Sequence, residues 1–328
     1  MEPDDPRLAG PLARVALLRV EQGDFEAVDT LLPRALTLLR SADDPASEEY
    51  AATLNDIGYT WQVRGDLDRA EPLLEEALRR RQQALAPSVQ LGPVLNNLGN
   101  VRWARGDLDS AAALLRRSVE TRRSPAYDDP RLPSSLESLA DVLQRLGALD
   151  EAEEVAAEAL DIRRRTLPEG HLRLAGPLHI QGIIMRQRGR PADAEPLLRE
   201  ALEIRVAALG EDHFVVANAR NGLALVLEDL GRLDEAEELF RRSLEVYTDL
   251  FGQDHLNPAY VEANLARLLF RKGKGEEEVR RRLEHALPIA RRERPNDRVF
   301  AADLITLGLS YCRMGNQQAA DSTLAQAV

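Results

Sequence analysis

Eight glycines recur along the chain at almost constant intervals. Successive members are 41 or 42 residues apart, and they are Gly23, Gly65, Gly106, Gly147, Gly189, Gly231, Gly273 and Gly315. An interval of roughly 20 to 50 residues is typical of solenoid proteins, in which each unit is stable only because its neighbours cover its apolar face. The interval therefore predicts one structural unit repeated eight times along the 328 residues.

The second unit shows what the repeat contains. Apolar residues at three- and four-residue steps, Ile57 and Trp61 among them, form one stripe and predict a first helix. Gly65 follows, and glycine readily adopts the left-handed backbone that ends a helix. Asp66 or Asp68 then accepts the free amide hydrogens at the start of a second helix. The inner face of that helix consists of Ala70, Leu73, Leu74, Ala77 and Leu78.

Small residues stand at fixed distances from each glycine. Five and twelve residues after it, most units carry Ala or Ser, which lets two helices approach closely. The seventh unit fits this pattern only with one residue inserted in its turn, which makes Val279 and Ala286 the equivalent positions. Seven residues before the glycine, every unit has Gly or Ala: Ala16, Gly58, Gly99, Ala140, Gly182, Ala224, Ala266 and Gly308.

This pattern resembles that of the tetratricopeptide repeat (TPR) family. The resemblance implies an all-α fold, a right-handed superhelical α-solenoid of about eight antiparallel helix pairs. The 42-residue period and the segments 209–213 (LGEDH) and 251–255 (FGQDH) look like the kinesin light chain-like subgroup, and some bacterial multidomain proteins carry similar arrays. We expect one array over residues 1–328, with approximate repeats at 9–42, 50–85, 91–126, 132–167, 174–209, 216–251, 258–292 and 300–328, the last truncated.

The composition restricts the partners and the compartment. The formal net charge of −12 repels nucleic-acid phosphates, so we expect protein or peptide partners and no nucleic acid. Aromatic residues make up only 4% of the sequence, which predicts almost no sheet. Cys312 is the only cysteine, which excludes an intramolecular disulfide and indicates a reducing, cytoplasmic compartment. No run of 18 apolar residues occurs, so we expect no membrane insertion.

The resemblance to TPR arrays also implies a concave groove lined by first helices. Candidate peptide-binding residues are found ten, nine, six and three residues before the glycines: Asn55, Tyr59, Asn96, Asn97, Asn100, Trp103, Glu137, Asp141, Gln144, His179, Arg186, Asn221, Asn264 and Arg267. An asparagine both donates and accepts, so it pairs with a peptide backbone, while Tyr59 or Trp103 offers an aromatic anchor. The alternative is that Asn96 and Asn97 only cap or solvate the start of their helix.

Three histidines, His171, His213 and His255, are 42 residues apart. Equivalent positions in adjacent repeats lie roughly 10 Å apart, whereas the ligands of one zinc ion converge within about 2 Å of it. We therefore predict loop or helix-cap roles and no metal site.

Catalytic motifs are absent from the sequence. It contains no G-x-x-x-x-G-K-[ST] loop, H-E-x-x-H, C-x-x-C pair, G-x-S-x-G elbow or kinase catalytic loop. We therefore predict no catalytic residues, no cofactor and no enzyme activity. The charge runs 79–81, 163–165, 276–278 and 280–282 are expected on the solvated outer faces of second helices, and the alternative is a basic stripe for an acidic partner.

Three hypotheses about function follow. The first is a non-catalytic interaction scaffold whose groove binds a partner peptide or protein segment. The second is a regulatory or sensor segment of a larger bacterial signalling enzyme, such as a Ser/Thr kinase or a nucleotide-binding regulator. Residues 4–8 (DDPRL) reappear as the inter-repeat segment 128–132, and the sequence stops inside its eighth unit, which suggests further domains outside it. The third is a structural spacer or self-assembling array.

Overall fold

A computed structural model of the protein describes residues 4–22, 24–42, 44, 47–84, 88–124, 127–273, 275–293 and 299–327. The protein divides into two compact units, residues 1–162 and 163–328. Among the described residues, no helix is both long enough and apolar enough to cross a membrane.

The first unit consists of helices that pack in consecutive pairs, α1 on α2, α3 on α4 and α5 on α6. A two-residue antiparallel ladder, β1 with β2, joins Arg123 to Asp128 and Ser124 to Tyr127 in the connection after α6. The helices and strands are α1 (Ala9–Glu21), α2 (Phe25–Arg40), α3 (Glu48–Arg64), α4 (Leu67–Gln83), α5 (Ser88–Ala104), α6 (Leu108–Arg122), β1 (Arg123–Ser124), β2 (Tyr127–Asp128) and α7 (Leu132–Leu146). Helix α8 (Leu149–Thr166) crosses the boundary between the units.

The second unit repeats this arrangement, with α9 on α10, α11 on α12, α13 on α14 and α15 on α16. Its helices are α9 (Ala175–Gln187), α10 (Pro191–Leu209), α11 (Phe214–Asp229), α12 (Leu233–Phe251), α13 (Leu256–Arg271), α14 (Glu276–Glu293), α15 (Val299–Arg313) and α16 (Gln317–Leu324). Odd-numbered helices precede the turn glycines and are the predicted first helices. The prediction of an all-α fold built from helix pairs is confirmed.

Each described turn glycine has a positive φ, as a left-handed helix end requires. Gly65 has φ of 93° and ends α3, whereas Gly23 lies outside the described residues. Asp66, rather than Asp68, then caps α4, because its carboxylate accepts the Arg69 amide hydrogen at 3.1 Å. The glycine and the aspartate therefore reverse the backbone within two residues.

Close packing explains the small residue seven positions before the turn. A Cβ atom built on Gly99 would lie 2.7 Å from Leu115 Cγ, and one built on Gly182 would lie 2.6 Å from Leu198 Cγ. Leucine occurs nine residues after the glycine in both repeats. In the seventh repeat, Val279 and Ala286 are completely or almost completely buried, which agrees with the predicted one-residue insertion.

Candidate functional site

The candidate residues of the first compact unit, residues 1–162, lie on α3, α5 and α7. Tyr59 is the most open of those on α3 and α5, with 37% of its surface exposed, whereas Asn55 is only 8% exposed. The others are partly buried: Asn96, Asn97, Asn100, Trp103, Glu137, Asp141 and Gln144. The polar side chains on this face therefore lie partly between neighbouring helices rather than projecting freely into solvent.

Asparagines of adjacent first helices form the same hydrogen bond in residues 1–162 and again in residues 163–328. Asn97 Nδ2 donates to Asn55 Oδ1 at 3.0 Å, and Asn264 Nδ2 donates to Asn221 Oδ1 at 2.9 Å. In both cases the acceptor stands ten residues before its turn glycine and the donor nine residues before the next one. We call this contact the amide pair. It fixes the register of two repeats and orients both amides.

Asn96 stands at the acceptor position of its repeat, but its Oδ1 atom is buried without a hydrogen-bond partner. The corresponding donor position of the next repeat carries Ser138, which is shorter than asparagine. A buried carbonyl oxygen without a partner is destabilising, and this atom can still accept a hydrogen bond.

A second contact between repeats lies close to the turns. It joins the residue three positions before one turn glycine to the residue two positions before the next turn glycine. Arg145 Cζ lies 5.3 Å from the centre of the Trp103 ring, and Arg186 Nε donates to Asp229 Oδ2 at 2.6 Å. Arg145 also donates to Asp141 at 3.3 Å, so one guanidinium contacts two candidate residues. The aromatic anchor predicted at Trp103 is therefore held by a cation–π contact.

Arg267 is already neutralised within the fold. It donates to Asn264 Oδ1 and forms an ion pair with Asp303, whose side chain is almost completely buried. The arginine therefore joins α13 to α15, and little of its charge is left for a ligand.

The expectation that the arginine runs lie on solvated faces was wrong for two of their members. Arg81 and Arg163 are only 6% and 5% exposed. Both stand sixteen residues after a turn glycine, as do Arg122 and Arg205. The offsets 5, 9, 12 and 16 follow helical spacing and form one inward stripe. The same count from the glycine that located the small residues would have located this row of arginines.

Arg81 and Arg122 bond to groups on adjacent first helices or in the connection that precedes one. Arg81 Nη2 forms an ion pair with Glu48 at 2.9 Å, and its Nη1 donates to the carbonyl of Gln90. Arg122 forms an ion pair with Asp129 at 3.3 Å, and burial lowers the pKa of Arg122 to about 10. Arg81 and Arg122 therefore act as buried links between consecutive repeats.

The three spaced histidines have helix-cap roles, as predicted. His171 Nδ1 accepts the Arg173 amide hydrogen, and His213 Nδ1 accepts that of Val215, each at 3.1 Å. His255 caps α13 in the same way. An Nδ1 atom that accepts a backbone hydrogen bond is not available to a metal ion. No group of three or more His, Cys, Asp or Glu side chains among the described residues has a metal-binding arrangement.

A cleft of about 890 Å³ lies between α2 and α4 and is lined in part by Trp61, Leu36 and Pro72. Trp61 is 3% exposed, so its predicted interior position is confirmed, and Arg69 Cζ lies 4.6 Å from its ring. None of the candidate groove residues lines this cleft. It is therefore separate from the candidate site.

Together, the paired helices, the glycine turns and the polar face of the first helices define a TPR-like helical-repeat protein. The chain belongs to the MalT-like TPR region family, whose model matches residues 12–328.

Solved structures agree with this assignment. The chain is 28% identical to BtubC (BKLC) from P. vanneervenii, with a TM-score of 0.55 over 67% of this chain and 89% of that one. It is 20% identical to a kinesin light chain with nearly identical TPR-like repeats from Podosopora anserina, with a TM-score of 0.52 over 64% of this chain and 99% of that one. A Rap protein complexed with Competence and Sporulation Factor is 12% identical, with a TM-score of 0.69 over 98% of both chains. No curated protein matches the sequence significantly.

Proposed function

We propose that the chain is a non-catalytic scaffold that binds a partner peptide or protein segment along the candidate face of its first helices. The observation that carries this proposal is the state of Asn96. Its neighbours Asn55 and Asn97 are oriented by the amide pair, whereas Asn96 Oδ1 is buried without a donor. A peptide amide would satisfy it, and groups held in place before binding lose little entropy when they bind.

Aromatic groups beside Asn96 support the same surface. Trp103 lies partly open on the same helix and is held by Arg145, while Tyr59 is exposed on the neighbouring first helix. Rigid aromatic side chains supply much of the affinity in protein interfaces. The Rap protein that shares this fold was solved complexed with a separate factor, which supports partner binding as a use of the fold.

The test uses affinity capture with the wild-type protein and with a variant that changes Asn96, Asn100 and Trp103 to Ala together. A partner captured from the source organism is identified first, and each variant is then measured against it. We expect the triple variant to lose capture while its far-UV circular dichroism stays helical. Undiminished capture would reject this choice of surface. A matched triple variant on the exposed face of α6, Asp109→Ala, Arg117→Ala and Glu120→Ala, should bind normally.

A second candidate function is a regulatory segment of a larger signalling protein. The family model is that of a MalT-like region, and the quorum sensor NprR from B. thuringiensis shares the fold with a TM-score of 0.68 at 14% identity. The complete open reading frame tests this proposal. A kinase, nucleotide-binding or protease-like domain encoded in frame supports it, whereas stop codons adjacent to both ends reject it.

A further inference from the structure

One group of polar side chains in residues 163–328 departs from the pattern of the other repeats. It consists of His179 on α9 and Arg205 on α10, and it lies next to Gly222 on α11 and to Asn218 and Tyr247. His179 and Arg205 are partly exposed, so the group is reached from the surface. Burial raises the pKa of the Tyr247 hydroxyl group above its ordinary value, so this group is neutral at neutral pH and supplies no counter-charge to Arg205.

Arg205 is the member of the buried arginine row that has no partner among the described residues. Its Nη1 atom is buried without a hydrogen bond, whereas Arg81 and Arg122 each have a carboxylate. The acidic residues that follow α10 are engaged elsewhere. Glu211 forms an ion pair with Arg220, and Asp212 accepts from Arg242 at 2.9 Å.

His179 stands at the acceptor position of the amide pair, and Gly222 stands at the donor position of the next repeat. The glycine leaves room that the imidazole fills, since a Cβ atom on Gly222 would lie 2.8 Å from His179 Cε1. His179 Nδ1 is buried without a partner. Burial, together with nearby Arg205, lowers the pKa of His179 to about 3, so the ring is neutral at neutral pH.

A cation held without a counter-charge in a partly desolvated position is costly, and an anion that enters the position removes that penalty. We propose that His179 and Arg205 form a binding site for one carboxylate group of the partner segment, with Arg205 donating to both oxygens and the imidazole N–H donating beside it. This inference rests on the proposed function. A single carboxylate suits the site because the planar guanidinium group of Arg205 can donate two parallel hydrogen bonds to its two oxygens. The net charge of −12 also disfavours a polyanionic partner.

The carboxylate comes either from an Asp or Glu side chain or from the carboxyl terminus of the partner, and three short peptides distinguish these sources. Ac-Ala-Ala-Glu-Ala-Ala-NH₂ offers the carboxylate of a glutamate, and Ac-Ala-Ala-Ala-Ala-Ala with a free carboxyl terminus offers a terminal one. Ac-Ala-Ala-Gln-Ala-Ala-NH₂ offers neither. Each is titrated into the full protein while the His179 ring signals are followed by NMR, with assignment from the His179→Asn spectrum.

We expect saturable shifts of the His179 signals, and a rise of the His179 pKa, with at least one carboxylate peptide and not with the glutamine peptide. Arg205→Met should weaken that binding at least tenfold, which corresponds to about 1.4 kcal/mol. Arg199→Met is the matched control, because Arg199 lies on the same helix and is paired with Glu195 at 2.8 Å. Equal shifts with the glutamine peptide, or normal binding by Arg205→Met, would overturn the proposal.

The stability of the protein in the absence of peptide gives a second test. Arg205→Met should keep or raise the urea midpoint of unfolding, since no internal partner is lost. Arg122→Met should lower it, because Asp129 loses its buried arginine partner and keeps only the more exposed Arg131. If Arg205→Met lowered the urea midpoint as much as Arg122→Met does, Arg205 would have a partner inside the protein, and the carboxylate site would be rejected. Partner capture that survives Arg205→Met but fails when Asn96, Asn100 and Trp103 are changed would reject the carboxylate site alone and leave the scaffold proposal intact.

Discussion

The close contact between Gly99 on α5 and Leu115 on α6 leads to a prediction about stability. Gly99→Ala should destabilise the wild-type protein but stabilise a variant in which Leu115 is already alanine. Gly99→Ala adds one methyl group to α5. The new Cβ atom would lie 2.7 Å from Leu115 Cγ and 3.4 Å from the Ala111 carbonyl oxygen. Carbon atoms in contact prefer about 3.5 to 4.0 Å, so α5 and α6 must separate locally by roughly 1 Å.

The magnitude follows from two opposing terms. Overpacking of this kind destabilises by about 1 to 3 kcal/mol. Alanine is favoured over glycine inside a helix by about 1 kcal/mol. We therefore expect Gly99→Ala to lower the free energy of unfolding by about 1 kcal/mol net. In a Leu115→Ala background the clash disappears, and the same change should raise it by up to about 1 kcal/mol.

The assay is urea unfolding of the full protein followed by circular dichroism, for the wild type, both single variants and the double variant. The expected coupling between the two positions is about 2 kcal/mol, within the range that contacting residues show. Coupling near zero, or a wild-type protein made more stable by Gly99→Ala, would refute the packing explanation.

Two further predictions concern histidines. His213→Ala should destabilise the protein by about 1 kcal/mol in urea unfolding, because the cap of α11 is lost. His213→Asn should retain most of the stability, and an equal loss in both variants would assign the effect to ring stacking on Phe214 instead. The pKa of His179 is lowered from 6.5 to about 3, so its contribution to stability is present above pH 6.5 and is lost as pH falls. Between pH 7.5 and pH 5.5 the wild type should lose about 1.4 kcal/mol more than His179→Asn, and parallel pH profiles of the two proteins would contradict the neutral buried ring.

Part of the candidate site followed from the sequence. The offsets from the glycines located Asn55, Asn97, Asn221 and Asn264 on first helices, and they located the interior position of Trp61. They did not show that these asparagines bond to one another. Each amide pair joins residues about one repeat apart, and its geometry depends on how adjacent helices pack.

The arginine row shows the same division. Its spacing was present in the sequence, since Arg81, Arg122, Arg163 and Arg205 share one offset from the turn glycine. Which of them has a counter-charge depends on the loops and on the next first helix, and the structure gives a carboxylate to Arg122 and, among the described residues, none to Arg205. The spacing therefore did not show which arginines have a counter-charge inside the protein and which do not.

The sequence by itself determined the turns, the helix pairs and the small residues between them. These features arise from local chemistry: glycine adopts a left-handed backbone, aspartate caps a helix, and a helical stripe must be covered by its neighbour. The tertiary structure alone decided which polar groups are satisfied. Desolvation and hydrogen bonding depend on atoms from neighbouring repeats. Gly222 is an example, because it has no side-chain amide to offer His179, whereas Asn97 and Asn264 donate to the residues at the equivalent position of the preceding repeat.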